Sequence, residues 1–204
     1  HWSIRDISSD NANGIWIATY AGGLNYYHPK GSIFSHITGE YGTNNTLSSN
    51  KISSMLMDKE EILWIGTEGR GLNRYDKNLG AFQHFRNPTN VGSAAFSNIK
   101  SITEADNGIF WIGSFGGLSS FDQKTGSYTN FVHKPQDTNS LSFNQIHSTL
   151  IDKSGNLWLG TNGGGLDLYD RELKIFKPFP ASDDPSIPVS SNINVILESK
   201  DGKL

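Results

Sequence analysis

The apolar residues of this chain fall into short runs set apart by glycine- and asparagine-rich turns, and one run returns four times. It reads Ile15-Trp16-Ile17-Ala18-Thr19, Leu63-Trp64-Ile65-Gly66-Thr67, Phe110-Trp111-Ile112-Gly113-Ser114 and Leu157-Trp158-Leu159-Gly160-Thr161. The tryptophans stand 48, 47 and 47 residues apart. Runs that are apolar on consecutive positions, rather than on alternate ones, predict strands buried on both faces. An isoleucine stands twelve residues before each tryptophan (Ile4, Ile52, Ile99 and Ile146) and opens a preceding strand, such as Ile52 to Asp58. A Gly-Leu pair follows each run, at Gly23, Gly71, Gly117 and Gly165, and leads a third strand ending on Tyr27, Tyr75, Phe121 or Tyr169. A fourth strand carries Phe34, Phe82, Tyr128 or Phe176.

Four short strands repeating every 40–50 residues or so define a β-propeller blade. The fold class is therefore all-β, with four-stranded antiparallel blades at about 3–38, 50–86, 97–133 and 144–180. A further first strand begins near Asn192 and runs towards Leu204, and the period places the next tryptophan at 205. Residues 1–204 thus read as a single partial propeller domain, four blades and the start of a fifth, from a larger ring. Its end blades are expected to expose apolar faces and to favour self-association. Trp16, Trp64, Trp111 and Trp158 are expected to pack blade on blade, and the paired glycines to supply turns with φ > 0.

Composition changes this picture little. Hydrophobic residues make up 35% of the 204, lean for a globular chain, but 22 glycines suit a turn-dense β-fold. A formal charge of −3 without a basic run argues against a nucleic-acid partner. No apolar stretch reaches about 18 residues, so any membrane or targeting segment would lie outside this chain. With no cysteine, disulfides and thiolate metal sites are excluded.

Leu63 to Asp76 and Leu157 to Asp170 follow the pattern Leu-Trp-Ile/Leu-Gly-Thr, then Gly-Leu-x-x-Tyr-Asp. This resembles the two-component regulator propeller repeat. The blade at Trp111 is one residue shorter before its Gly-Leu, and the blade at Trp16 has Ala18 for the glycine and His28 for the aspartate. The resemblance implies a periplasmic sensor of a hybrid two-component regulator of the Bacteroidetes type. Its partners would be an oligosaccharide and the rest of one polypeptide: further blades (about seven per propeller), a β-sandwich, a membrane helix and a histidine kinase.

Strand direction puts the second-to-third-strand turns on one face with the long loops at 39–49, 87–97, 135–143 and 181–191. Variation on a repeated scaffold is where individual function is expected. Tyr20 and Phe115 could stack on a pyranose face, and Glu68, Arg70 and Asn162 could bond its hydroxyl groups. The plainer alternative has the aromatics covering the central channel and the charges solvated.

Catalytic patterns are not found. His1, His28, His36, His84, His133 and His147 show no metal-ligand spacing, and no Gly-x-Ser-x-Gly elbow occurs. Asp58, Asp152, Asp76, Asp122 and Asp170 recur at strand ends as turn caps rather than as a carboxylate pair, and the Asp-Gly turns lack the ligand pattern of a calcium loop. No cofactor and no metal are called for. A propeller sialidase or lyase, or a protein-interaction propeller of the WD-repeat kind, remain alternatives. The first needs an arginine cluster and the second Trp-Asp pairs, neither of which stands in the sequence.

Overall fold

The computed structural model describes residues 3–31, 34–40, 43, 45–86, 98–179 and 190–204. Sixteen strands form four separate four-stranded antiparallel sheets, each a meander in chain order. The first comprises β1 (Ile4–Ser9), β2 (Ile15–Thr19), β3 (Gly23–Tyr27) and β4 (Ser35–Ile37). The second holds β5 (Ile52–Met57), β6 (Leu63–Thr67), β7 (Gly71–Asp76) and β8 (Ala81–Phe85). Next come β9 (Ile99–Glu104), β10 (Ile109–Ser114), β11 (Gly117–Asp122) and β12 (Tyr128–Phe131), then β13 (Ile146–Ile151), β14 (Leu157–Thr161), β15 (Leu166–Asp170) and β16 (Ile175–Pro178). Successive inner strands β1, β5, β9 and β13 lie side by side, so the sheets are propeller blades around a common inner edge. The loop read over 87–97, and nearly all of that over 181–191, fall outside the described residues.

The core lies between blades rather than within them. Trp16, Ala18 and Leu24 of the first blade pack with Ile52, Met55, Leu63 and Ile65 of the second. Trp64 and Leu72 pack in turn with Ile99, Phe110, Ile112 and Phe121, and Trp111 and Leu118 with Ile146, Leu157, Leu159 and Tyr169. Each of these three indoles meets an aromatic ring of the next blade's third strand: Trp16 with Tyr75 at 5.8 Å, Trp64 with Phe121 at 5.8 Å, and Trp111 with Tyr169 at 5.1 Å. Edge and tilted contacts of this kind add stability beyond area burial.

The glycine two residues after each later tryptophan serves that junction. A Cβ on Gly66 would stand 2.5 Å from Ile99 Cγ2, and on Gly113 or Gly160 it would stand 2.7 Å from Ile146 or Ile193 Cγ2. The glycine is therefore the seat of the next blade's first isoleucine. Opposite it on the inner strand stands a small serine, Ser54, Ser101 or Ser148. In the first blade Ala18 faces Asp6 instead, and the Asp6 carboxylate accepts the Met55 backbone N–H across the junction at 2.6 Å.

The strand-end aspartates cap turns and hold the tryptophans. Asp58 accepts the backbone N–H groups of Glu60 and Ile62 and the Trp64 indole N–H at 2.7 Å. Asp152 does the same for Ser154, Asn156 and Trp158. Asp10 differs: its second oxygen takes the Tyr26 hydroxyl and the Lys77 ammonium, leaving the Trp16 indole N–H buried and unpartnered among the described residues. The third blade has Ala105 at that place.

Two features differ from the sequence pattern. Phe34 precedes β4 instead of lying in it, and is 57% exposed with its ring 5.1 Å from that of Tyr27. Residues 192–198 form no strand: one bridge joins Asn192 to Asn162, and Ile193 donates its N–H to Thr161 at 2.8 Å. A first strand becomes part of a ladder only when its own second strand lies beside it, and the described residues supply none. Ile4, Ile7, Val195 and Leu197, at the two ends of the arc, are all more than half exposed.

Gly113→Ala is expected to cost about 1–3 kcal/mol in urea unfolding, through overpacking against Ser101 and Ile146. An unchanged midpoint would contradict the seat assigned to this glycine. Asp10 yields a pH prediction. Burial raises its carboxyl, but hydrogen bonds from Lys77, Gly14 and Tyr26 outweigh burial and hold it at about 2. Its folded value lies below the unfolded one of 3.8, so its contribution is present above that pH and lost as pH falls towards about 2. Lys77→Met is expected to lower stability at neutral pH and to flatten this acid-side loss in denaturant titrations.

Candidate functional site

The site grows from a bulge repeated in every inner strand. The register of each innermost pair skips one residue, so Arg5, Ser53, Lys100 and His147 are left out of the ladder. A bulged residue is unpaired and its side chain is re-aimed. Beside each bulge, the residue four places after the repeat tryptophan folds back over the start of the inner strand. Tyr20 donates its N–H to Ser3, Glu68 to Lys51, Phe115 to Asn98 and Asn162 to Gln145. Four of the five ligand residues expected from the sequence thus occupy one equivalent position, once per blade.

Contacts run between these positions along the arc. The Arg5 guanidinium lies 4.9 Å from the Tyr20 ring centroid, and Lys51 of the next blade reaches the same ring at 5.7 Å. Lys100 pairs with Glu68 of the preceding blade at 2.5 Å and stands 4.5 Å from the Phe115 ring. Phe115 in turn lies 5.5 Å from the His147 imidazole of the fourth blade. Asn162 donates to the Gln145 side chain at 3.2 Å. Arg70 stands two residues beyond Glu68, half-buried after Gly69 (φ +85°), in the turn rather than at the repeated position.

The electrostatics are cationic with one carboxylate. Lys100 engages Glu68, while Arg5 and Lys51 lie over the Tyr20 ring. Burial, with Lys100 nearby, lowers the His147 pKa below 6.5 and favours the neutral ring at pH 7. Its Nε2 is buried and has no hydrogen-bond partner among the described residues. Phe115 remains 39% exposed, so its ring can meet a ligand face. Aromatic faces, ammonium groups and carboxamides along one edge can stack on and hydrogen-bond a polyhydroxylated molecule. Among the described residues Glu68 is the one carboxylate of the row, where glycoside cleavage uses a facing pair.

The glycines and tryptophans build the scaffold beneath. Gly23, Gly71, Gly117 and Gly165 have φ of +71°, +78°, +131° and +77°. A Cβ on any of the first three would stand within 2.5 Å of a fourth-strand carbonyl oxygen. Trp16, Trp64, Trp111 and Trp158 are all buried, away from the row. His84 on β8 meets the Thr46 carbonyl of the 39–49 loop at 2.6 Å, and His36 on β4 meets the Gly22 carbonyl of the β2–β3 turn at 2.6 Å. The residues that sequence reasoning misses are the bulge residues. Their signal is periodic, since each directly follows the repeat isoleucine, but period-2 strand logic sends that side chain into the sheet.

Two stretches, residues 46–69 and 140–163, match the two-component regulator propeller family model. No curated protein matches the chain in sequence. Among solved structures, it is similar to the extracellular domain of a hybrid two-component system from B. thetaiotaomicron, at 27% identity and a TM-score of 0.72, over 86% of this chain and 23% of that one. The extracellular domain of another such system from the same organism aligns at 23% identity and a TM-score of 0.75, over 98% and 27%. A WD40-repeat structure shares the fold at 11% identity and a TM-score of 0.64, over 88% and 51%. The chain spans about a quarter of the length of the two bacterial structures.

Removing the Lys100 charge tests the electrostatics of the row. In Lys100→Gln, the His147 imidazole is expected to titrate at higher pH than in the parent, yet still below 6.5, because burial is the larger cause. An NMR titration of the imidazole reads it, and an unmoved midpoint would contradict the proximity drawn here.

Proposed function

Starting from a chain that carries two-component regulator propeller repeats, we propose that it is the ligand-sensing part of a hybrid two-component regulator and binds an oligosaccharide in the periplasm. The observation carrying this reading is the row at the inner-strand mouth. There, one repeated backbone position presents Tyr20, Glu68, Phe115 and Asn162 in turn, with Arg5, Lys51 and Lys100 between them. A scaffold that holds its packing residues constant and changes this one position is suited to recognition rather than to turnover. The similarity to extracellular domains of hybrid systems supports the same assignment and its compartment. Among the described residues no helix is long and apolar enough to cross a membrane.

Signalling follows from differential affinity. A glycan that binds one arrangement of two ectodomains more tightly than another shifts their dimer equilibrium, and the shift passes through the membrane to the kinase. The exposed Ile4, Ile7, Val195 and Leu197 give the end blades apolar surface for neighbouring blades or for a second copy. The propeller itself performs no chemistry.

A glycan-array screen of the chain, followed by titration of the best-bound oligosaccharide, tests the placement. Joint replacement of Tyr20, Glu68, Arg70 and Phe115 by alanine is expected to weaken binding at least a hundredfold while the unfolding midpoint stays near that of the parent. Undiminished affinity in the fourfold variant would remove the site from this mouth.

A further inference from the structure

In a repeat fold, one blade junction is a control for the next. Between the first two blades, on the side of the first-to-second-strand turns, Lys77 fills the crevice. It reaches Asp10 at 2.6 Å and the Tyr26 hydroxyl at 2.7 Å, and lies 4.4 Å from the Tyr26 ring. One junction on, Arg74 holds the position of Tyr26, and Gln123 that of Lys77. The aspartate of that blade is already committed, because Asp58 holds the Trp64 indole. Among the described residues no side chain closes the crevice there. An open cavity of about 380 Å³ remains, lined by Glu60, Arg74, Gln83, Phe85, Gln123 and Lys124 among others. Among the described residues no hydrogen bond or ion pair holds the Arg74 head group.

We propose that this crevice between the second and third blades is a second binding site, for an anionic saccharide of the hexuronic-acid type, separate from the mouth. Its volume is that of a small-molecule pocket. A guanidinium and an ammonium face one carboxylate, so the crevice is locally cationic in a chain of net charge −3. The planar fork of Arg74 matches a carboxylate with two parallel hydrogen bonds, and Lys124 adds a point charge. Gln83 and Gln123 offer both donors and acceptors, which ring hydroxyls need. Phe85 supplies the apolar wall against which a sugar C–H face can lie. Its ring is fixed by Trp64 at 5.6 Å and Phe121 at 5.0 Å. The turn at Gly126 completes the floor, where a Cβ would stand 3.6 Å from the Phe85 ring. What the Lys77 ammonium does as part of the chain at the first junction, a ligand carboxylate would do reversibly at the second, with the charges exchanged.

The test is an amide-detected NMR titration of the chain with sodium D-glucuronate, with glucose and sodium acetate as controls. Saturable shifts are expected at Phe85 and at Gln123 to Gly126 with glucuronate, and not with glucose. The dissociation constant is expected to rise at least tenfold in Arg74→Gln and in Lys124→Gln, and to stay unchanged in Lys51→Gln at the mouth. The variants' own spectra report whether they are folded. Absence of saturable shifts at the crevice, equal affinity in both crevice variants, or shifts confined to the mouth would overturn the site. Acetate binding as tightly as glucuronate would overturn the saccharide assignment.

Discussion

The rest of this molecule depends on the contact between a repeat glycine and the isoleucine of the following blade, made by every blade but the first, where Ala18 stands at the glycine position. Four-stranded sheets of this size cannot bury their own apolar faces, so each must be covered by its neighbour. The closest approach falls where Gly66, Gly113 and Gly160 meet Ile99, Ile146 and Ile193. That approach sets the spacing of the inner strands. The indoles then fill the wider, outer part of each junction, with an aspartate of their own turn holding Trp64 and Trp158 by the ring N–H. Blade-on-blade burial is thus both the source of stability and the ruler that spaces the inner edge.

The proposed recognition surface uses what that ruler leaves over. With inner strands fixed, the bulge residue and the residue four places after the tryptophan project at one edge in every blade. Apart from Ser53, whose hydroxyl donates to the Ile99 carbonyl of the next blade, these residues do not hold the junction, and their chemistry differs: Arg5 and Tyr20, Ser53 and Glu68, Lys100 and Phe115, His147 and Asn162. Adjacent blades bring these into contact, as when Lys100 bridges Glu68 and Phe115. The lower crevices follow the same logic. Position for position, Tyr26 and Lys77 close one, while Arg74 and Gln123 leave the next open.

Much of this was legible in the sequence because a repeat states its own alignment. The tryptophan spacing and the isoleucine twelve residues before each Trp yield blade, strand order and period. The turn residues Tyr20, Glu68, Phe115 and Asn162 were reachable because they follow the last packed residue of β2, β6, β10 and β14. The bulge residues were not, since alternation predicts Lys100 and His147 on a sheet face and only backbone register shows them out of the ladder. Asp58 and Asp152 were readable as turn caps, but the indole bond was not, because it joins positions six apart through side-chain geometry alone. The segment at 192–198 carries a strand's pattern and lacks a strand's partner, a distinction that local pattern does not contain.

The central claim is that repeat-equivalent side chains at the inner-strand mouth form one recognition surface. A crystal structure of the chain with the oligosaccharide selected on an array tests it most directly. The account predicts sugar density across the Tyr20 and Phe115 rings, within hydrogen-bond distance of Lys100 or Glu68. Density seated away from all four blades' mouth positions would contradict it.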